Sequence, residues 1–283
     1  MTRLRDLAAK ASKARQARPA LTLSATALVI VSWLSAAIFG AYILAFFGGV
    51  AASGAADRWN ESLIGLHDAR TPPATLAIGA HFITGGVLLL LGPVQLIGPL
   101  RRSLPAVHRW LGRLYVTCAA LAGAGGLIFI VTKGTIGGAT MNIGFGLYGA
   151  LMVVCSILTY AHARAARYEV HRAWAIRLFA LAVGSWLYRM EYGFWFLVAD
   201  GVGHTTHFNG WFDAVMAFSF YLPNLVVAEL FIRARRSPGG TVLNLAAATV
   251  LLAATAFVVV ATWSFAKDYW WPGIVSGLTG RPL

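Results

Sequence analysis

Acidic side chains are scarce in this sequence. It has 10 Asp and Glu against 23 Lys and Arg, and only 12% of its 283 residues are charged. Soluble domains carry about 25% charged residues. A chain that is 58% hydrophobic, with a mean hydropathy of +0.69, falls outside that class. The shortage of carboxylates leaves no H-E-x-x-H motif and no carboxylate-rich constellation, which argues against a membrane hydrolase or metalloenzyme. Cysteine is nearly absent. Cys118 and Cys155 lie in different apolar runs, outside any C-x-x-C or C-x-x-C-H pattern, so thiol redox motifs and covalent haem attachment are excluded. Both read as small core residues. No internal repeat is visible, and so no inverted-repeat transporter design.

What is abundant is long apolar sequence. Crossing about 30 Å of hydrocarbon takes about 20 residues, and seven runs qualify: 21–49, 74–99, 111–132, 143–162, 173–198, 212–232 and 242–265. A segment in lipid must satisfy its own backbone, so each is expected to be a helix. The expected fold is all-α, an integral membrane bundle of seven transmembrane helices. Residues 1–20 form a basic arm, 21–49 the first helix, 50–73 an external connection, 74–236 a core of five helices, and 237–283 the last helix and an external tail. The first run is far longer than the apolar part of a cleavable signal peptide, about 7–15 residues, and reads as a retained span.

The net charge of +13 is unevenly placed. Six cations precede the first run, and alternate loops hold Arg101, Arg102, Arg109 and Arg113, then Arg164, Arg167 and Arg172, then Arg233, Arg235 and Arg236. The opposite side has only Arg58, Arg70, Lys133, Lys267 and Arg281. This is the positive-inside asymmetry, with the N-terminus cytoplasmic and the C-terminus outside. It points to a lipid bilayer as the main partner, and away from nucleic acid. The basic loops are suited to anionic head groups.

Ionisable groups inside spans are costly and mark function by default. An inner cluster gathers Gln95, His108, Arg109, Arg113, His171, Arg177 and Glu229, and an outer one His81, Tyr188, Arg189 and Glu191, with Asn224 after Pro223 near mid-membrane. His171 and Arg189 are 18 residues apart, about 27 Å along one helix face, so they belong to different sites. Gly85 and Gly92 permit close packing or leave room for a planar ligand. His108 and His171 open their spans at matching depth and could ligate the iron of haem b from two sides. Arg109, Arg113 and Arg177 could hold its propionates, or the same cluster could hold a quinone head group. The simpler readings are that the arginines snorkel and that Glu229 pairs with Arg233 four residues on. His204 and His207, with Asp200 or Asp213, form a weak H-x-x-H metal candidate.

The segments HFITGGVLLLLGPVQ (81–95), HRWLGRLYV (108–116), HRAWAIRLFALAVGSWLYR (171–189) and LPNLVVAELFIR (222–233) together resemble the bacterial membrane-protein family called domain of unknown function 2306, over roughly residues 75–236. The family pattern carries over onto His81, Gln95, His108, Arg109, Arg113, His171, Arg177, Arg189, Pro223, Asn224 and Glu229. Ala175 stands where members usually carry methionine. The resemblance implies a helical membrane protein and supplies no reaction. A looser similarity is to two-haem b-type cytochromes, although the chain lacks their full set of four suitably placed histidines. The leading expectation is a b-haem- or quinone-binding redox protein, a possible oxidoreductase working with other membrane or respiratory-chain proteins. The alternative is a transporter, sensor or accessory subunit that binds a lipid or small anion.

Overall fold

A computed structural model describes residues 2–234 and 241–283, and among these there is no strand. Ten helices carry the fold: α1 (Thr2–Ile43), α2 (Pro72–Leu91), α3 (Pro105–Thr132), α4 (Gly138–Arg164), α5 (Tyr168–Ala182), α6 (Gly184–Ala199), α7 (Trp211–Ser219), α8 (Leu222–Ala234), α9 (Thr241–Phe265) and α10 (Trp271–Thr279). Proline opens α2 and α3, where its missing N–H costs no helical bond. Asp200, in the left-handed region at φ 49°, ends α6.

Among the described residues, six segments are long and apolar enough to cross a membrane: Ala20–Ala52, Pro72–Gln95, Pro105–Thr132, Gly138–Arg164, Trp211–Glu229 and Leu245–Thr279. The expected crossing at 173–198 differs. It is two helices of 15 and 16 residues meeting at Val183, and it carries Arg177, Arg189 and Glu191 within the apolar run. The interruption coincides with Gly184–Ser185, a small-residue pair of the kind that kinks helices. There the Leu181 carbonyl accepts the Tyr148 hydroxyl at 3.0 Å. A helix periodicity therefore does not run unbroken from His171 to Arg189.

Packing follows chain order on one side of the bundle: α2 on α3, α3 on α4, α4 on α5 and α7, α5 on α8. The other side is non-local, because α1 packs on α2 and also on α9, and α9 on α6. A Cβ at Gly123 would lie 2.7 Å from the Gly149 carbonyl oxygen, so glycine lets α3 and α4 touch backbone to backbone. Near its end α1 widens into a π-turn at Leu44–Gly48, and α9 does the same at Ala266–Trp270. The Phe47 carbonyl in the first of these accepts the Trp59 indole N–H at 3.0 Å. Phe46, Phe47 and Trp270 fill one core around α1, α2 and α9. Tyr115, Met152, Leu178, Phe212 and Tyr221 belong to a second, around α3, α4, α5 and α7.

Candidate functional site

The basic end of the bundle holds the first group. Gln95 lies in a 3-10 turn (Pro93–Leu96) after α2. A Cβ at Gly112 would meet its Oε1 at 3.4 Å. Gly112 is one turn beyond His108 on α3, so Gln95 and His108 address the same strip of that helix. Both carry a buried nitrogen, Gln95 Nε2 and His108 Nδ1, with no hydrogen-bond partner among the described residues. His171, carried by α5, is among the ionisable groups within electrostatic range of His108, with Arg101 and Arg109. His171 Nδ1 lies 2.9 Å from the Thr159 carbonyl oxygen of α4. A carbonyl can only accept, so Nδ1 carries a hydrogen in this contact.

The other members of the expected inner cluster are separate. Arg109 and Arg113 are exposed, as side chains reaching a head-group layer are. Arg177 stacks over Trp174 at 4.7 Å and donates to Glu229 of α8 at 2.6 Å. Arg177, Glu229, Leu222, Leu225 and Val226 line an open groove of about 460 Å³. The Arg233 side chain, expected to pair with Glu229, lies outside the described residues.

The second group is inside the bundle. His81 and Arg189, from α2 and α6, line one cavity of about 30 Å³ with Phe39 and Ile43 of α1, Gly85 and Ser185. His81 Nδ1 lies 2.8 Å from the Ala122 carbonyl oxygen of α3. The Arg189 guanidinium donates once, to the Ser185 carbonyl at 3.2 Å, and its carbon lies 5.1 Å from the centre of the Phe39 ring. Two neighbouring glycines of α2 do different work. A Cβ at Gly86 would strike Leu44 at 2.8 Å, whereas one at Gly85 would meet nothing within 4 Å. Tyr188 turns away to Phe145, Tyr192 and Phe220. Glu191 keeps a buried carboxylate oxygen, Oε2, without a partner among the described residues. Asn224 donates to the Phe220 carbonyl one turn back, at 2.8 Å. The structure thus unites His81 with Arg189 and does not add Tyr188, Glu191 or Asn224 to their cavity.

A third polar node was seen in the sequence only as a metal candidate. Asp213 is 1% exposed and accepts four hydrogen bonds: Tyr192 Oη at 2.6 Å, His204 Nδ1 at 2.7 Å, Gly210 N at 2.9 Å and Thr205 N at 3.1 Å. His207 instead meets Thr206 at 3.3 Å. No group of three metal-ligating residues occurs among the described residues. The useful signal was positional: Asp213 is the third residue of α7 and takes the N–H of Gly210 just before it, a helix-start bond.

At the end opposite the basic loops, cations are matched by acids. Arg58 pairs with Glu61 at 2.8 Å and also donates to Ser276 Oγ at 2.9 Å and to the carbonyls of Gly280 and Arg281. Asp68 takes Arg70 at 3.2 Å and Lys133 at 3.3 Å. These hydrogen bonds, from Arg58 to Glu61 and chiefly from Arg70 to Asp68, hold both carboxyls below the usual carboxylate range.

The family model "Predicted membrane protein (DUF2306)" covers residues 78–232. That stretch contains the Gln95–His108–His171 group, the His81–Arg189 cavity and the Asp213 node. No curated protein and no solved structure matches the chain.

Proposed function

Because the chain belongs to the DUF2306 family of predicted membrane proteins, we propose a function its family name leaves open: a quinone-binding redox protein of the bacterial inner membrane, with Gln95, His108 and His171 building the head-group site. The observation that carries this reading is the pair of buried, unpartnered nitrogens at Gln95 Nε2 and His108 Nδ1. A buried N–H without an acceptor loses about 1–3 kcal/mol, and a ligand carbonyl oxygen removes that cost at both positions. The oxygen of a quinone is such an acceptor, and its isoprenoid tail belongs in lipid. The basic end then faces the cytoplasm, and Arg101, Arg102, Arg109 and Arg113, all exposed, lie in the head-group layer around the entrance. Quinones extracted from protein purified in native lipid are expected at about one per chain. His108→Ala and Gln95→Ala should each lower that ratio severalfold. Trace quinone, equal in wild type and variants, overturns the reading.

A second reading rests on a different atom. His171 Nδ1 is fixed by Thr159 at 2.9 Å, and histidines that ligate metals commonly give their other ring N–H to a carbonyl in this way. With His108 within electrostatic reach, the two could be axial ligands of haem b. A pyridine haemochrome assay separates the two readings. A b-type spectrum lost in His171→Ala supports haem, and a colourless protein that still carries quinone rejects it.

A further inference from the structure

We infer that the cavity between α1, α2 and α6 binds a small monovalent anion of halide size, held by Arg189. The cation is not balanced by the protein around it. Its guanidinium has five N–H donors, of which one is used among the described residues, on the Ser185 carbonyl. The ionisable groups within electrostatic range of it are Tyr42, Tyr188 and Tyr148, with His81 across the cavity. None of these is an acid ionised near neutral pH. No carboxylate pairs with Arg189 among the described residues, although five other cations have such a partner.

Reaching the membrane surface does not solve the problem. Arg189 is ten residues from the end of α6 (199 − 189), about 15 Å along the axis. His81 is nine residues into α2 (81 − 72), about 13 Å from that helix end. A buried charge of one sign is stable only when an opposite charge and hydrogen bonds meet it.

The space selects the size of the ligand. The cavity offers about 30 Å³, where about 10–15 Å³ suffices for one water. That admits a monatomic anion or two waters and excludes a quinone ring or a phosphate ester. Gly85 is the opening: a side chain there would meet nothing within 4 Å, so it would point into free space on a wall of the cavity. Gly86 beside it is already filled by Leu44.

The test is thermal unfolding of the purified full chain, with gluconate replaced stepwise by chloride at constant ionic strength. The midpoint is expected to rise and saturate, by about 4 °C. Arg189→Gln should remove the response. Gly85→Val fills the cavity while leaving the arginine in place, and it too should remove it. It also keeps the test decisive if Arg189→Gln fails to fold. In crystals grown with bromide, anomalous scattering should show one peak beside Arg189. A flat wild-type response overturns the inference and assigns the cavity to water. A chloride response that survives in Gly85→Val overturns it as well and places the anion on the exposed arginines. Quinone content is unchanged in Gly85→Val if both proposals hold, so the two can fail separately.

Discussion

Asp213 and Arg189 are opposite charges carried by the same bundle, and they are treated in opposite ways. Asp213 has four donors from three directions: a phenol of α6, an imidazole and backbone of the 199–211 loop, and the N–H before its own helix. Arg189 has one backbone acceptor, an aromatic ring and a cavity. A charge completed by its own chain is a structural joint, and a charge left incomplete beside a void is a place for something else. The donors and acceptors around each charge make the distinction.

The sharpest way to break this contrast is Asp213→Ala. It strands the Tyr192 hydroxyl, His204 and two backbone N–H groups, and should cost about 3–5 kcal/mol of stability, read as a fall in the unfolding midpoint in nanodiscs. Arg177→Ala should cost less, about 1 kcal/mol, because Arg177 and Glu229 keep 24% and 34% of their side-chain surface exposed. The same melting experiment checks it. Arg189→Gln in the absence of halide should change stability by no more than about 1 kcal/mol, since few protein contacts are lost with the charge. A loss as large as that of Asp213→Ala would erase the distinction.

The smallest effect concerns the paired end. Glu61 and Asp68 are held below their ordinary range by Arg58 and by Arg70 with Lys133. Their contribution is therefore complete above about pH 4 and is lost as pH falls through the depressed values, when the carboxylates protonate. Hydrogen exchange of residues 58–68 should quicken on acidification below that point. Glu61→Gln should show the quicker exchange already at neutral pH.

The sequence carried much of this and stopped at rotation. Run length placed the helices, because a lipid-exposed backbone has no alternative. Depth placed His108 with His171 and His81 with Arg189. Which way a side chain points around its helix depends on packing that a single chain does not encode locally. Tyr188 and Arg189 are adjacent in sequence, yet one meets Phe220 and the other Phe39. The break at Val183 was hidden in an apolar run, its only sign being Gly184–Ser185. At the Asp213 node the local signal was Gly210 and the position of Asp213 in the first turn of α7, beside the weaker pattern of His204 and His207.

The pairing of α1 with α9 has a consequence for the order of synthesis. Every wall of the Arg189 cavity comes from residues 39 to 189, so the ribosome has finished the pocket before it begins α7. Helix α9, which later packs on both α1 and α6, closes around a compartment already formed. The newborn chain thus faces the cost of an unbalanced guanidinium in lipid midway through translation, when an anion from the surroundings can enter and the final brace has not yet arrived.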